Sequence, residues 1–475
     1  MSEQAAVADR AGPPVSDNRE VTVALGRWVA SLDLSDVPSH VLDHAKLCIL
    51  DTIGCGILGS REPCGEIAKQ AMHDLCPTGP SSVWGAGEKT GPAEAALVNG
   101  TAAHGFELDD IHVASVIHPG AVTVPATIAV AESRSIDGAT VLVGTVAGYE
   151  AGLRLGMSAG TSHAAGGYHA TGTIGCIASA AGVARTLGLD FERSLHAIAI
   201  GATQAGALYC ARRGAMAKRL HAGRAAHAGV LAGFLAARGF TGARRALEDE
   251  NGGFLSTMAE NADPGVIVDG LGSRWETAAV GFKIYSSCAS SHTTIDAIDD
   301  LMQHGLNAGN LDHLSVYMSR IGSNNVNWPY RPSDPVAAQM NGYYTAAVKL
   351  LDGETFIDQY REERLADPKI LNLIPKISIA HDPALDAGGT ATRHSVRVEA
   401  ALRDGRHLSA KVDHRKGSVQ RPIPSEDVIV KYKRLAAIVL TPTQTDDLLA
   451  EVMSLEKAKD LSRISKLLSV ESRKL

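Results

Sequence analysis

The sequence predicts a mainly α protein in which both ends of the chain form one large all-helical domain and a smaller α+β domain is inserted between them. Three observations lead there. From about residue 21 onward, apolar residues recur at three- and four-residue intervals, as in "VTVALGRWVASL" and "VLDHAKLCILDTIGCGILG", the period of amphipathic helices. Near residue 276 the texture changes to short β-like pieces, and after "RKGSVQRPIPSED" the helical period returns. The expected divisions are a mobile N-terminal arm over 1–20, a helical part over 21–270, the α+β insertion over 271–411 and a second helical part over 412–475.

Local signals justify the elements in order. Blocks such as "AIAIGATQAGALYCA" and "ASAAGVARTLG", with 48 glycines in the chain and aromatics at 4%, suit helices packed closely along small-residue faces. Asp190 stands where it can cap the helix that follows it, and the glycines of "ARGFTG" end the one before "ARRALE". The β-like pieces are "AAVGFKIYS", "LSVYMSRIG", "KISIAHD" and "SVRVEAALRDGRHLSAKV", the last patterned as a hairpin closed by Asp404-Gly405. Pro422 and Pro424 break the strand pattern, and Ser425 is placed to cap the next helix.

Composition excludes several classes of function. The 475 residues carry 45 Lys plus Arg against 52 Asp plus Glu, a net charge of −7, so nothing general attracts nucleic acid or an anionic membrane. The seven cysteines form no C-x-x-C pair, which leaves no local zinc or iron–sulfur pattern and fits a reducing compartment. The apolar stretches fall short of the roughly 20 residues that span a bilayer, and the N-terminal segment lacks a signal-peptide centre. A cytoplasmic protein is expected. "WGAGEKTG" lacks the Gly-Lys-Ser/Thr ending of a phosphate loop, and no G-x-S-x-G elbow appears.

Three segments carry candidate chemistry. "HGFELDDIHVASVIHPG" places Glu107, Asp109, Asp110, His112 and His118 within one stretch, at intervals that match no compact metal motif. Adjacent carboxylates before a His-Pro turn suit the fixing of a histidine tautomer for proton transfer, and a plain polar loop is the competing reading. "GGYHATGTIG" sets His169 ahead of a small-residue helix whose first N–H groups could face an anion. "CARRGAMAKRLHAGRAAHAG" gathers Lys218, Arg219, His221 and Arg224 into a local cationic patch suited to a substrate with several carboxylates. Cys288, in "FKIYSSCASSH", could act as a nucleophile near His292 or be a buried structural thiol.

In this order, "VWGAGEKTGPAEAALVNGTAAHGFELDD", "HPGAVTVPATIAVAE", "GYHATGTIGCIASAAGVARTLGLD", "KRLHAGRAAHAGVLAGFLAARGFTGARRALE", "FKIYSSCASSH", "LLDG" and "KGSVQRPIPSEDVIVKYKRLA" resemble the MmgE/PrpD family over about residues 21 to 470. The resemblance implies that the inserted α+β domain is a lid, that the chain is a homodimer, and that it acts without metal or cofactor on a small polycarboxylate. It places the family's active-site histidines on His118 and His169, its lysine on Lys218, its carboxylates on Glu107, Asp109 and Asp110, and its lid lysine on Lys283. Arg219 and His221 fall within the matched K-x-x-H-x-G segment. Cys288 stands where the family's cis-aconitate decarboxylases have histidine, and the lid tyrosine of those enzymes has no match in "GSNNVNWPYRP". The turn "HPGAV" replaces the His-Pro-Ser-Asp-Asn of 2-methylcitrate dehydratases.

The resulting expectation is a lyase that removes an α-proton and eliminates hydroxide, a hydro-lyase. Its catalytic residues would be His118, His169, Lys218, Asp109 and Asp110, with Glu107, Arg219, His221, Lys283 and Cys288 around the substrate. An epimerase of a dicarboxylate such as iminodisuccinate, a cis-aconitate-type decarboxylase and a non-catalytic polycarboxylate-binding protein are the alternatives.

Overall fold

The computed structural model describes residues 20–470 apart from 213 and 388; the expected N-terminal arm lies outside the described residues, save residue 20. The first part is helical: α1 (Val21–Ser31), α2 (Ser39–Gly59), α3 (Pro63–Leu75), α4 (Pro92–Ala103), α5 (Pro119–Arg134), α6 (Gly138–Ala165), α7 (Ala170–Thr186), α8 (Phe191–Thr203) and α9 (Ala217–Ala237). Between α3 and α4 a two-stranded ribbon joins β1 (Ser81–Ser82) to β2 (Lys89–Thr90). Asp190 caps α8 as expected, its carboxylate accepting from the N–H of Arg193 at 2.9 Å.

Short helices α10 (Phe254–Met258) and α11 (Gly265–Val268) lead into α12 (Ala289–Gln303), β3 (Leu311–Met318), α13 (Arg320–Val326), α14 (Pro335–Gln339), α15 (Gly342–Asp352), α16 (Glu362–Leu365) and α17 (Pro368–Leu373). Strands β4 (Ile377–His381), β5 (Val396–Leu402) and β6 (His407–Val412) complete a four-stranded mixed sheet of order β4-β3-β5-β6. Only β3 and β4 run parallel, with Val316 opposite Ile379; the β5–β6 hairpin turns at Gly405, whose φ of +89° is open to glycine at no steric cost. The chain ends in α18 (Ser425–Ala436), α19 (Pro442–Met453) and α20 (Ser462–Leu468).

Three local expectations are corrected. "AAVGFKIYS" is not a strand: residues 276–279 form a 3₁₀ turn, and Gly281 instead exchanges both backbone bonds with Ile111, each at 2.9 Å. Its backbone is used to hold a loop rather than a sheet edge. "LSVYMSRIG" is divided, because the Ser319 hydroxyl accepts from the N–H of Gly322 and starts α13. Ser425 is the first residue of α18 rather than its cap, the N-cap being Pro424, which has no side-chain donor or acceptor.

Two large apolar clusters, with two small ones beside them, form most of the core. One joins Leu25, Ile53, Val146 and Ile177 of the first helices to Val428, Tyr432 and Leu448 of the last; the other gathers Leu314, Val316, Tyr344 and Val398 around the sheet and reaches Leu58, Phe106 and Leu435. Small residues set the spacing in the first. Where α4 crosses α9, a Cβ on Gly100 would fall 3.0 Å from Gly223 Cα, and one on Gly223 would overlap Leu97 and Thr101. That crossing holds the C-terminal end of α4 beside the start of α9, where the charged residues converge.

Candidate active site

Residues 104–118 run between the end of α4 and the start of α5, and other elements fix this stretch from several sides. Gly281 pairs with Ile111 from one side. Lys431 of α18 forms a buried ion pair with Asp51 of α2 at 2.6 Å and also donates to the Leu108 carbonyl, so the C-terminal helices anchor the loop. Two residues of the stretch that are not glycine have positive φ, Glu107 at +58° and Val116 at +60°, conformations that persist only where surrounding contacts impose them.

Glu107 is the electrostatic centre. Its buried carboxylate receives Lys218 and Arg219 from α9 and, at 2.8 Å, Lys283 from the segment before α12. Burial would raise its pKa, but the three cations outweigh that and hold it well below the usual carboxylate range. Lys218 is pushed down to about 8 by burial and by the neighbouring Arg219 and Lys283, with Glu107 opposing. Arg219 also bonds the His104 carbonyl and Gln339 Oε1, both at 3.1 Å, and does not line the cavity that Lys218 and Lys283 share.

His118 Nδ1 lies 2.7 Å from the Asp110 carbonyl and 3.2 Å from Asp109 Oδ2. A carbonyl oxygen only accepts, so Nδ1 carries a hydrogen and the neutral ring has its lone pair on Nε2. His118 lines a cavity of about 440 Å³ together with His169, Lys218, Lys283 and Cys288. Asp109 is wholly buried behind it and also accepts from His104 Nδ1 at 2.7 Å. Burial works against its charge, yet the two imidazoles hold it well below the usual range.

Asp110 serves a different purpose. Its carboxyl oxygens accept from the Gly120 N–H at 2.9 Å and the Tyr149 hydroxyl at 2.7 Å, inside the helices rather than on the cavity wall. Burial, with Asp51 and Asp109 adding to it against the Tyr149 bond, pushes its pKa up to about 8. A Cβ on Gly120 would overlap Thr52 Oγ1 and stand 2.8 Å from Asp110 Oδ1, so the glycine of "HPGAV" is required by both side chains. The protonated acid contributes stability that is full below about pH 4 and is lost as the pH rises to about 8. Asp110→Asn, which mimics the protonated form, is therefore expected to gain stability relative to wild type across that interval. Thermal denaturation between pH 5 and about 8 checks it; a constant difference would contradict a neutral Asp110.

His169 is the N-cap of α7 and faces the same cavity; its Nδ1 is 3.0 Å from His221 Nδ1, so one ring donates and the other accepts. Burial, reinforced by Lys218 and His104, holds His169 well below the ordinary imidazole value. His221 lies behind it, outside the cavity lining, and is lowered by burial and Lys218. Cys288, 8% exposed, is the N-cap of α12 and lines the cavity. His112 bonds Ser115 and faces Glu276 at 3.7 Å, outside this cavity.

Two participants escaped the reading of the sequence. The His104 ring lies edge-on to His118 with centroids 4.9 Å apart and tilted toward His169 at 5.8 Å; burial first, then Lys218, brings its pKa down to about 3, and its buried Nε2 has no protein partner. Its presence in the quoted histidine-rich stretch was the only signal. Arg393, on the segment before β5, lines the cavity with no motif to mark it. His104, Asp109 and His118 bring donor atoms within 4.8 Å of one another, close enough for a metal ion. In the arrangement present both Nδ1 atoms address one carboxylate oxygen, which leaves only the Nε2 lone pairs of the two rings uncommitted. The trio is a hydrogen-bonded cluster.

Family models decide the relationship: the MmgE/PrpD N-terminal domain matches residues 23–266 and the MmgE/PrpD C-terminal domain residues 285–457. The chain belongs to the MmgE/PrpD family. It is similar to a cis-aconitate decarboxylase of Aspergillus terreus, 31% identical over 471 residues that span 94% of this chain and 96% of the relative. The human cis-aconitate decarboxylase is 28% identical, with 95% of each chain covered, and the mouse protein 26%, with 95% and 93% covered. All five segments that carry Glu107, His118, His169, Lys218 and Lys283 fall within or one to three residues outside the matched family domains, and the cavity is built from both.

Proposed function

We propose that this chain is a cofactor-independent lyase of small polycarboxylates, in which His118 Nε2 exchanges a proton with substrate carbon. The observation that carries the proposal is a histidine of fixed tautomer, backed by a buried carboxylate, on a cavity lined by three cations, Lys218, Lys283 and Arg393, and by one carboxylate, Glu107. Surplus cations suit a substrate with several carboxylates and stabilise the charge that a carbanion-like transition state spreads onto them.

The names of the relatives favour loss of carbon dioxide from an unsaturated tricarboxylate of the cis-aconitate type. The bond to the departing carboxylate breaks, its electron pair forms a new terminal C=C, the original double bond shifts, and its far carbon takes the proton from His118. Asp109 compensates the ring's charge while it holds that proton. A second reading, elimination of hydroxide from a hydroxy acid, is favoured by Cys288 in the place of the decarboxylases' histidine and by His169 as a second proton-handling group on the same wall. The division into a helical domain of 21–270 and 412–475 with a lid of 271–411 belongs to this proposal, supported by the two large apolar clusters. So does homodimeric assembly in the cytoplasm.

Proton NMR in D₂O with cis-aconitate, citrate, 2-methylcitrate and iminodisuccinate separates the outcomes. Decarboxylation is expected to give a dicarboxylate with a terminal methylene and one deuterium on the newly saturated carbon. Loss of hydroxide from citrate or 2-methylcitrate would select the second reading, exchange of the α-hydrogen without net change would indicate epimerisation, and inertness toward all four would remove the lyase assignment.

A further inference from the structure

We propose that Arg393 and the N-terminal turn of α12 form the subsite that grips a carboxylate of the substrate, and that Lys218 and Lys283 do not supply the main grip. The inference rests on the lyase reading and sharpens it. Lys218 and Lys283 both face the cavity, but each is already paired with Glu107. Arg393 is only 6% exposed, lines the same cavity, and has no carboxylate within ion-pair distance among the described residues. Its Nε is buried without a hydrogen-bond partner. An uncompensated guanidinium enclosed in protein is costly, and planar, bidentate recognition of a carboxylate is what it is shaped to do.

A second, independent feature faces the same space. Helix α12 spans 15 residues, its N-cap Cys288 makes no side-chain capping bond, and Cys288, Ala289 and Ser290 all lie on the cavity wall. The first N–H groups of a helix have no acceptor within it, and the helix dipole adds positive potential there. Arg393 and Cys288 lie within electrostatic range of each other. The site is also held in place. The Arg393 carbonyl accepts from the Ser319 hydroxyl that caps α13, and the His394 carbonyl accepts from Thr293 Oγ1 of α12 at 2.6 Å. A carboxylate seated between guanidinium and helix end would satisfy both, leaving the reacting carbon toward His118 and His169 across the cavity.

Cys288 gives this subsite a bearing on specificity. A side chain at the helix cap that makes no capping bond leaves the N–H groups of Ala289 and Ser290 to the ligand. The subsite therefore selects acids with a carboxylate remote from the carbon that exchanges its proton.

Calorimetric titration with propane-1,2,3-tricarboxylate, which has neither a hydroxyl to lose nor a double bond to shift, tests the subsite apart from turnover. Arg393→Gln is expected to weaken binding by about 10- to 100-fold, and Arg393→Lys to weaken it less, because the charge is kept and the fork is lost. Without ligand, Arg393→Gln is expected to melt at the same temperature as wild type or higher, since an uncompensated buried charge is removed; a residue with a merely structural role would lower it. Binding by Arg393→Gln within about twofold of wild type overturns the subsite. If wild type binds no polycarboxylate, the lyase reading fails first and the subsite with it. Should the glutamine variant not fold, undiminished binding by Arg393→Lys overturns the bidentate grip.

Discussion

His118→Ala is expected to lower kcat by about 10²- to 10⁴-fold, the usual contribution of a positioned acid or base, with little effect on the fold. The side chain lies at the cavity wall, and the backbone bond from its N–H to Thr171 Oγ1 at 3.3 Å survives the truncation. Asp109 keeps its bond from His104, so its carboxylate is not stranded. Turnover and melting temperature measured together separate the effects. A variant that melts like wild type and turns over at the normal rate removes His118 from proton transfer. One that loses both would show the ring to be a structural tie from the start of α5 to Asp109 and Asp110 instead.

The largest effect on stability is expected at Glu107. Truncation to alanine leaves Lys218, Arg219 and Lys283 buried around a missing anion, and breaking a buried ion cluster in this way costs about 3–5 kcal/mol. Glu107→Gln keeps the shape and the acceptor but not the charge, so a smaller loss in the same direction is expected. The pH dependence follows from a native pKa held below the unfolded value. The carboxylate's contribution is present in full above about pH 4.3, the unfolded value, and is lost as the pH falls through the lower native one. Urea denaturation of wild type and Glu107→Gln at neutral and acid pH should therefore show a gap that narrows in acid. An unchanged midpoint for Glu107→Ala at neutral pH would mean that the cations find other compensation.

Much of the fold was written locally. The helical period, the Asp190 cap and the Asp404-Gly405 turn depend on neighbours a few residues away, and each has the expected element in the structure. The failures share a cause. "AAVGFKIYS" has strand composition, but its pairing partner is Ile111, about 170 positions earlier in the chain, so nothing nearby shows that one bridge replaces a ladder. The candidate site was legible to a similar depth. Residue types and family motifs singled out Glu107, His118, His169, Lys218 and Lys283, all on the cavity. They could not distinguish Asp109 from Asp110, two adjacent carboxylates that differ only in what surrounds them.

By itself, then, the sequence determined a helical scaffold, the family and the groups able to move a proton or hold an anion, because these follow from residue type and short-range spacing. Only the tertiary structure decided their states. It placed His104 and His118 on Asp109, making that carboxylate an anion, and Tyr149 and Gly120 on Asp110 in a buried site that keeps it protonated. It engaged Lys218 and Lys283 with Glu107 and left Arg393 facing the cavity without a carboxylate. Charge and protonation depend on burial and on partners within a few ångströms, and residues distant in the chain supply both.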